Sequence, residues 1–174
     1  MSIEKWDVLD ENGNLTGKTA LRGRSALKSG EYHLVVHIWI VSQTGDFLIQ
    51  RRSDTKKLMP GEWAATGGAA VSGETSFEAA RRELFEELGI KTDRESLKKL
   101  VRIKRRSSIL DVWITVCNTS ADRLTLQKSE VAEARWVNKE ELRNMIQTGI
   151  FHNYGREYFD RVLTEIEKYR GACV

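Results

Sequence analysis

The sequence predicts an α/β fold in which a mixed β-sheet carries helices on both faces and an N-terminal β-hairpin precedes it. Three observations predict this. Residues 33–41 are almost wholly apolar and β-branched, the composition of a strand buried on both sides. A helix with its own start and stop signals follows between Thr75 and Gly89. A second amphipathic helix, about residues 156–170, aligns Phe159, Val162, Leu163 and Ile166 on one side. A strand apolar on both faces needs cover above and below, and amphipathic helices supply it.

The elements follow in order. Asn12-Gly13 is a tight-turn dipeptide between Trp6–Leu9 and Leu15–Thr19, giving a hairpin within about residues 1–22. After the buried strand His33–Val41, a turn over residues 43–46 leads into Phe47–Arg51, the second arm of another hairpin. Lys56, Lys57, Pro60 and Gly61 form a loop before Trp63–Thr66, which re-enters the sheet. Thr75 with Glu78 three residues on makes a capping box, Ala79 to Leu84 are strong helix formers, and Gly89 supplies a left-handed stop after Leu88. Leu100–Lys104, Ile109–Asn118 and a short Arg135–Val137 read as strands, and Asn138 caps a helix reaching Gly149.

Length and composition narrow the class. A chain of 174 residues suffices for one domain over residues 1–174 with a well-buried core. Apolar content of 40% and charged content of 30% are ordinary for a soluble globular protein. A net charge of +3 is too small for a dedicated nucleic-acid partner. No apolar run approaches a membrane span, and the N-terminus has no leader-like apolar region, so the expectation is a cytoplasmic protein with no membrane partner. Cys117 and Cys173 make no metal spacing and no disulfide framework. The N-terminal hairpin could pair across a homodimer.

Three carboxylates carry the chemistry. Glu83, Glu86 and Glu87 stand at i, i+3 and i+4, so on a helix their side chains share one face. Like charges so placed repel by about 0.2–0.5 kcal/mol per pair on an exposed helix. A divalent cation converts the repulsion into a binding site, and hard oxygen donors suit Mg²⁺, with Mn²⁺ as a substitute. At about 100° per residue, Phe77, Leu84 and Leu88 form an apolar stripe centred roughly 130° from the glutamates. One side of the helix is thus expected in a core while the other presents carboxylates to a cleft. Arg82, four residues before Glu86, is placed to orient them by ion pairing.

The run Gly68, five residues, Glu74, seven residues, Arg82-Glu83-Leu84, one residue, Glu86-Glu87, one residue, Gly89-Ile90 resembles the Nudix hydrolase signature at every fixed position. The resemblance implies an α/β/α sandwich and a metal-dependent enzyme cleaving a pyrophosphate bond in a nucleotide or related diphosphate. By it, Glu83, Glu86 and Glu87 hold one to three Mg²⁺ ions and Arg82 orients them. Gly68 opens the loop that shapes the site, and Glu74 mainly holds loop to helix. Physical logic agrees: a bound metal acidifies water and neutralises phosphate charge, and a carboxylate left outside the ligand set can take the proton.

Residues 33–63 also resemble the type I isopentenyl diphosphate isomerases, which share the Nudix fold: a strand opening with His33, then Arg51-Arg52, Lys56-Lys57 and Pro60-Gly61-x-Trp63. That resemblance implies diphosphate contacts from Arg52 and Lys56, and matches His33 to a metal-ligand histidine. The residues alone point to Arg51, Arg52 and Lys56 as a phosphate cradle, with strand alternation allowing only one arginine into the cleft. The isomerases need a cysteine and a further histidine between that Trp and the signature helix, and residues 64–73 contain neither. An isomerase-like hydrolase is therefore the reading.

Two rivals remain: the isomerase itself, and a non-catalytic sensor, a type that usually loses signature glutamates, none of which is lost here. Glu130 and Glu133 lie where Nudix enzymes often carry an additional catalytic carboxylate, and Glu130 is the stronger candidate. His33 and His37, about 13 Å apart along a strand, read as packed histidines. The basic run Arg102, Lys104, Arg105 and Arg106 reads as an exposed strand face.

Overall fold

The computed structural model describes residues 4–172; Cys173 and the first three residues of the hairpin segment lie outside them. The hairpin pairs β1 (Lys5–Leu9) with β2 (Leu15–Leu21) as a separate two-stranded sheet. At its turn, Asp10 accepts the amides of Asn12 and Asn14, and Gly13 takes a positive φ of 84°.

The main sheet has seven strands centred on β3 (His33–Val41). β3 runs parallel to β8 (Ser108–Val116) on one side and antiparallel to β4 (Phe47–Arg52) and β6 (Thr66–Ala69) on the other. β7 (Leu97–Lys104) extends the sheet beyond β8; β5 (Trp63–Ala64) and β9 (Val131–Val137) both pair with β4. The expected strand over Trp63–Thr66 is therefore broken at Ala65, its halves serving different neighbours. β9 begins four residues earlier than expected because Ala134, Glu133 and Val131 continue the ladder opposite Gln50, Arg51 and Arg52. A short 3-10 turn over Ala121–Arg123 was not foreseen.

Helices cover both faces, giving the α/β/α sandwich. α1 (Ser76–Leu88) packs Ala79, Ala80, Leu84 and Leu88 on Val36, Ile38, Ile40 and Leu48. On the other face, Leu142 and Met145 of α2 (Lys139–Gln147) and Val162 and Ile166 of α3 (Arg156–Ala172) pack on Trp39, Val41, Phe47 and Ile49. Strand alternation explains the partition: along β4, Leu48 and Gln50 face α1, while Phe47 and Ile49 face α2 and α3.

Of the basic run, Arg102, Lys104 and Arg106 are exposed as expected, and Arg105 alone is half-buried. Arg102 grips Asp111, which is fully buried, through Nε at 2.7 Å and Nη2 at 2.8 Å. Burial pushes the Asp111 carboxyl upward, but the Arg102 fork and Ser76 outweigh it and hold it below the usual range. Arg105, just past the strand end, turns inward.

Candidate active site

The helix that carries the glutamates is locally determined. Thr75 Oγ1 accepts from the Glu78 amide at 3.3 Å while Glu78 accepts from the Thr75 amide at 2.8 Å, closing the capping box. At the other end Gly89 takes φ 70°, the left-handed stop. The helix start is tied to the preceding loop by Glu74, whose carboxylate accepts the Val71 amide at 2.9 Å and the Arg82 guanidinium at 2.7 and 3.0 Å.

Arg82 is the hub. Its Nη2 also donates to the Ala69 carbonyl at 3.1 Å, and its Nη1 bridges Glu83 at 2.9 Å and Glu86 at 3.2 Å. One guanidinium thus fixes the loop, the helix and two carboxylates, a task that requires a planar five-donor fork. Gly68 makes room for it: a Cβ there would lie 2.3 Å from Glu83 Oε1, so no larger residue fits without displacing that carboxylate.

The three glutamates are not equivalent. Glu83 and Glu87 are buried, 9% and 3% exposed, whereas the Glu86 side chain is 46% exposed. Glu87 accepts from Gln50 Nε2 at 2.9 Å and from the Gly67 amide at 3.4 Å. Burial, and next the charge on Glu83, push the Glu87 carboxyl up to about 8. Burial raises Glu83 as well, against the opposing charge of Arg82.

These carboxylates open onto a cleft of about 400 Å³ between α1, the end of β4 and the segment before α3. Of the residues singled out from sequence, Gly68, Arg82, Glu83, Glu86, Glu87, Arg52, Lys56 and Glu130 all line it. Glu130 is ion-paired with Lys56. Glu74 and Gly89 sit behind the wall, holding the two ends of the helix. Arg51 is outside: it is the cross-strand partner of Glu133 and pairs with it and with Asp54, on the face of β4 opposite Arg52. His33 is likewise outside, stacked on Trp6 at 4.2 Å with Nδ1 on the Ser107 carbonyl. His37 is packed, with Nδ1 2.9 Å from the Tyr158 hydroxyl.

Sequence reasoning gave no site role to Arg105, His152 and Tyr154, nor to Glu4 and Arg22 beside the hairpin, all of which line the cleft. The signals were faint. Arg105 stands where the alternation of β7 ends, and Tyr154 sits between Asn153 and Gly155 in an irregular segment just before α3.

The donor chemistry suits a small hard cation. Among the described residues no three potential ligands converge on one point, and Arg82 spans Glu83 and Glu86. Yet two buried carboxylates face one cleft, and burial makes their charge costly unless a cation offsets it. The third, Glu86, is exposed enough to rotate, and all three offer the oxygen atoms such ions select.

Comparison with known proteins shows the family. The NUDIX domain family matches residues 31–158. An uncharacterised Nudix hydrolase of Listeria monocytogenes is 42% identical over 153 residues, covering 87% of this chain and 90% of the relative. Nudix hydrolase 3 of Arabidopsis thaliana is 35% identical over 84% of this chain, which spans 21% of that longer protein. The crystal structure of DR0079 from Deinococcus radiodurans superposes with a TM-score of 0.72 at 28% identity, covering 84% of this chain and 90% of that one. The chain belongs to the Nudix family and is a hydrolase of pyrophosphate bonds. Among the described residues no helix is long and apolar enough to cross a membrane.

Proposed function

We propose that residues 1–174 act as one catalytic domain that hydrolyses a pyrophosphate bond in a nucleoside diphosphate derivative or related diphosphate, using Mg²⁺, with Mn²⁺ as substitute. The observation that carries this reading is the cleft itself, lined by buried Glu83 and Glu87 together with Arg52 and Lys56. Glu83, Glu86 and Glu87 are the proposed metal ligands, with Arg82 positioning them. Bound there, the ion supplies a more acidic water and neutralises the phosphates.

The chain's own residues do the rest. Arg52 and Lys56 hold the diphosphate in the cleft, a contact made alike in the bound substrate and in the transition state. Glu130 stays outside the ligand set yet close enough to Glu83 for their charges to interact, and it takes the proton from the attacking water. A water oxygen–phosphorus bond forms, the anhydride bond breaks, and the leaving phosphate departs with the electron pair.

The test is phosphate or nucleotide release from a panel of nucleoside di- and triphosphates, sugar nucleotides and dinucleoside polyphosphates, with Mg²⁺ or Mn²⁺ and with EDTA. Metal-dependent turnover abolished by EDTA is expected. Binding without turnover across the panel would overturn the assignment in favour of a nucleotide sensor.

A further inference from the structure

Most cations of the cleft already have a carboxylate partner: Lys56 has Glu130, Arg22 has Glu4, and Arg82 has Glu74, Glu83 and Glu86. Arg105 has none among the described residues. It is half-buried, its guanidinium 5.7 Å from the centre of the Tyr158 ring, and the groups acting on it are Tyr158 and Tyr154 rather than any acid. Arg52 is the other cleft cation without a carboxylate; its Nε donates to the Leu58 carbonyl at 3.1 Å.

Both arginines line the cleft with Tyr154, whose buried phenol senses their two charges and that of Glu87. Burial holds the Tyr154 and Tyr158 phenols protonated and His37 neutral, so among the described residues none of these neighbours of Arg105 supplies a counter-charge. Glu62, which could have done so from the adjoining loop, is engaged with His152 at 2.6 Å. Withdrawing a guanidinium from water with no anion beside it is unfavourable. A protein keeps such an arrangement where a ligand brings the anion.

We propose that Arg105 is a specificity-determining residue that binds a further phosphoryl group of the substrate, beyond the two joined by the scissile bond. The substrate class is then a phosphate ester with three or more phosphoryl groups in its chain, rather than a simple diphosphate. This rests on the reading of the cleft given above: Arg52 and Lys56 are engaged by the scissile diphosphate, which leaves Arg105 as the cleft cation available to a further phosphoryl group. The flat, multi-donor guanidinium matches a terminal phosphoryl group, which offers several oxygens at once.

The experiment compares binding of inorganic tripolyphosphate and inorganic pyrophosphate by calorimetry in Mg²⁺, for the unaltered protein, R105Q and R105K. The unaltered protein is expected to bind tripolyphosphate about tenfold or more tightly than pyrophosphate, as one lost charge-assisted contact implies. R105Q erases that preference and R105K retains part of it. No preference in the unaltered protein, or a preference intact in R105Q, overturns the proposal. Hydrolysis of matched nucleoside di- and triphosphates gives a second readout, in which R105Q lowers kcat/KM for the triphosphate at least tenfold more than for the diphosphate; an equal loss on both overturns the proposal. The binding arm is independent of turnover, so polyphosphate binding with no hydrolysis of any substrate counts against the hydrolytic reading and not against this one.

Discussion

Gln50 donates its side-chain amide to Glu87 at 2.9 Å, joining the fourth strand to the signature helix beneath the cleft. The other end of the Gln50 amide accepts from Thr66 Oγ1 at 3.3 Å, which fixes which end faces the carboxylate. The contact orients a buried acid but leaves its charge only partly compensated. Glu87→Gln is therefore expected to have opposite effects on activity and stability. It lowers kcat by orders of magnitude, while the metal-free protein gains roughly 2 kcal/mol at neutral pH, because a carboxyl pushed up to about 8 must take up a proton on folding and an amide need not. Thermal unfolding in EDTA checks the gain as a rise in Tm of several degrees. Gln50→Leu removes the orienting donor instead, and about a 10- to 100-fold weaker Mg²⁺ affinity is expected by titration, as for other groups that orient metal ligands.

Arg82 tests how the loop and helix are held together. Arg82→Ala leaves Glu74 and Glu83 largely buried without a counter-charge, since their side chains are 17% and 12% exposed. A loss of about 3–5 kcal/mol is expected, a fall in Tm of roughly 10 °C for a chain of this size. Arg82→Lys keeps the charge but cannot reach Ala69, Glu74 and Glu83 together, so its Tm falls in between. Urea unfolding at neutral pH measures both. An Arg82→Ala protein as stable as the original would mean that the hydrogen-bond hub contributes little.

The two adjacent arginines of β4 should behave oppositely. Arg52 shares a face with Gln50 and opens to the cleft, while Arg51 is held by Glu133 and Asp54 on the other side. Arg52→Ala is expected to raise KM about tenfold with kcat little changed, because its phosphate contact serves ground and transition states alike. Lys56→Ala raises KM similarly and also frees Glu130. Arg51→Ala leaves KM within about twofold, an exposed ion pair being worth little. Steady-state kinetics on whichever panel substrate is turned over decides.

How much of this was legible in the sequence depended on whether the determinant was local. The capping box at Thr75 and Glu78, the stop at Gly89 and the apolar run His33–Val41 are written in neighbouring residues, and each element formed where those residues put it. The start of β9 was not legible, because Val131 to Ala134 contains few strand formers and joins the ladder only through its partner β4. Burial of Glu83 and Glu87 was equally hidden: charge and helical phase indicated an open cleft wall, but the alanines at 79 and 80 let α1 sit close to the sheet and carry the carboxylates down with it. Arg105 was lost inside a uniform basic run, since only the three-dimensional end of β7 separates it from Arg102 and Lys104.

His37 makes stability depend on acid. Trp39 Nε1 donates to the Tyr158 hydroxyl at 3.0 Å, so the hydroxyl proton is free to point at His37 Nδ1, 2.9 Å away, which must then be an unprotonated acceptor. Burial, with lesser contributions from Arg105 and His152, pushes the His37 imidazole down to about 3. In the unfolded chain it titrates near its ordinary 6.5. Between these two values the unfolded state binds a proton that the folded state refuses, so stability falls as pH drops through that window and is unaffected above it. At pH 5 the loss from this one group is about 2 kcal/mol. His37→Gln keeps a side-chain acceptor for Tyr158 but has no proton to take up. Urea unfolding at pH 7 and pH 5 should show the difference between the two pH values shrinking by that amount in the variant. An identical acid sensitivity in both proteins would place the titrating group elsewhere.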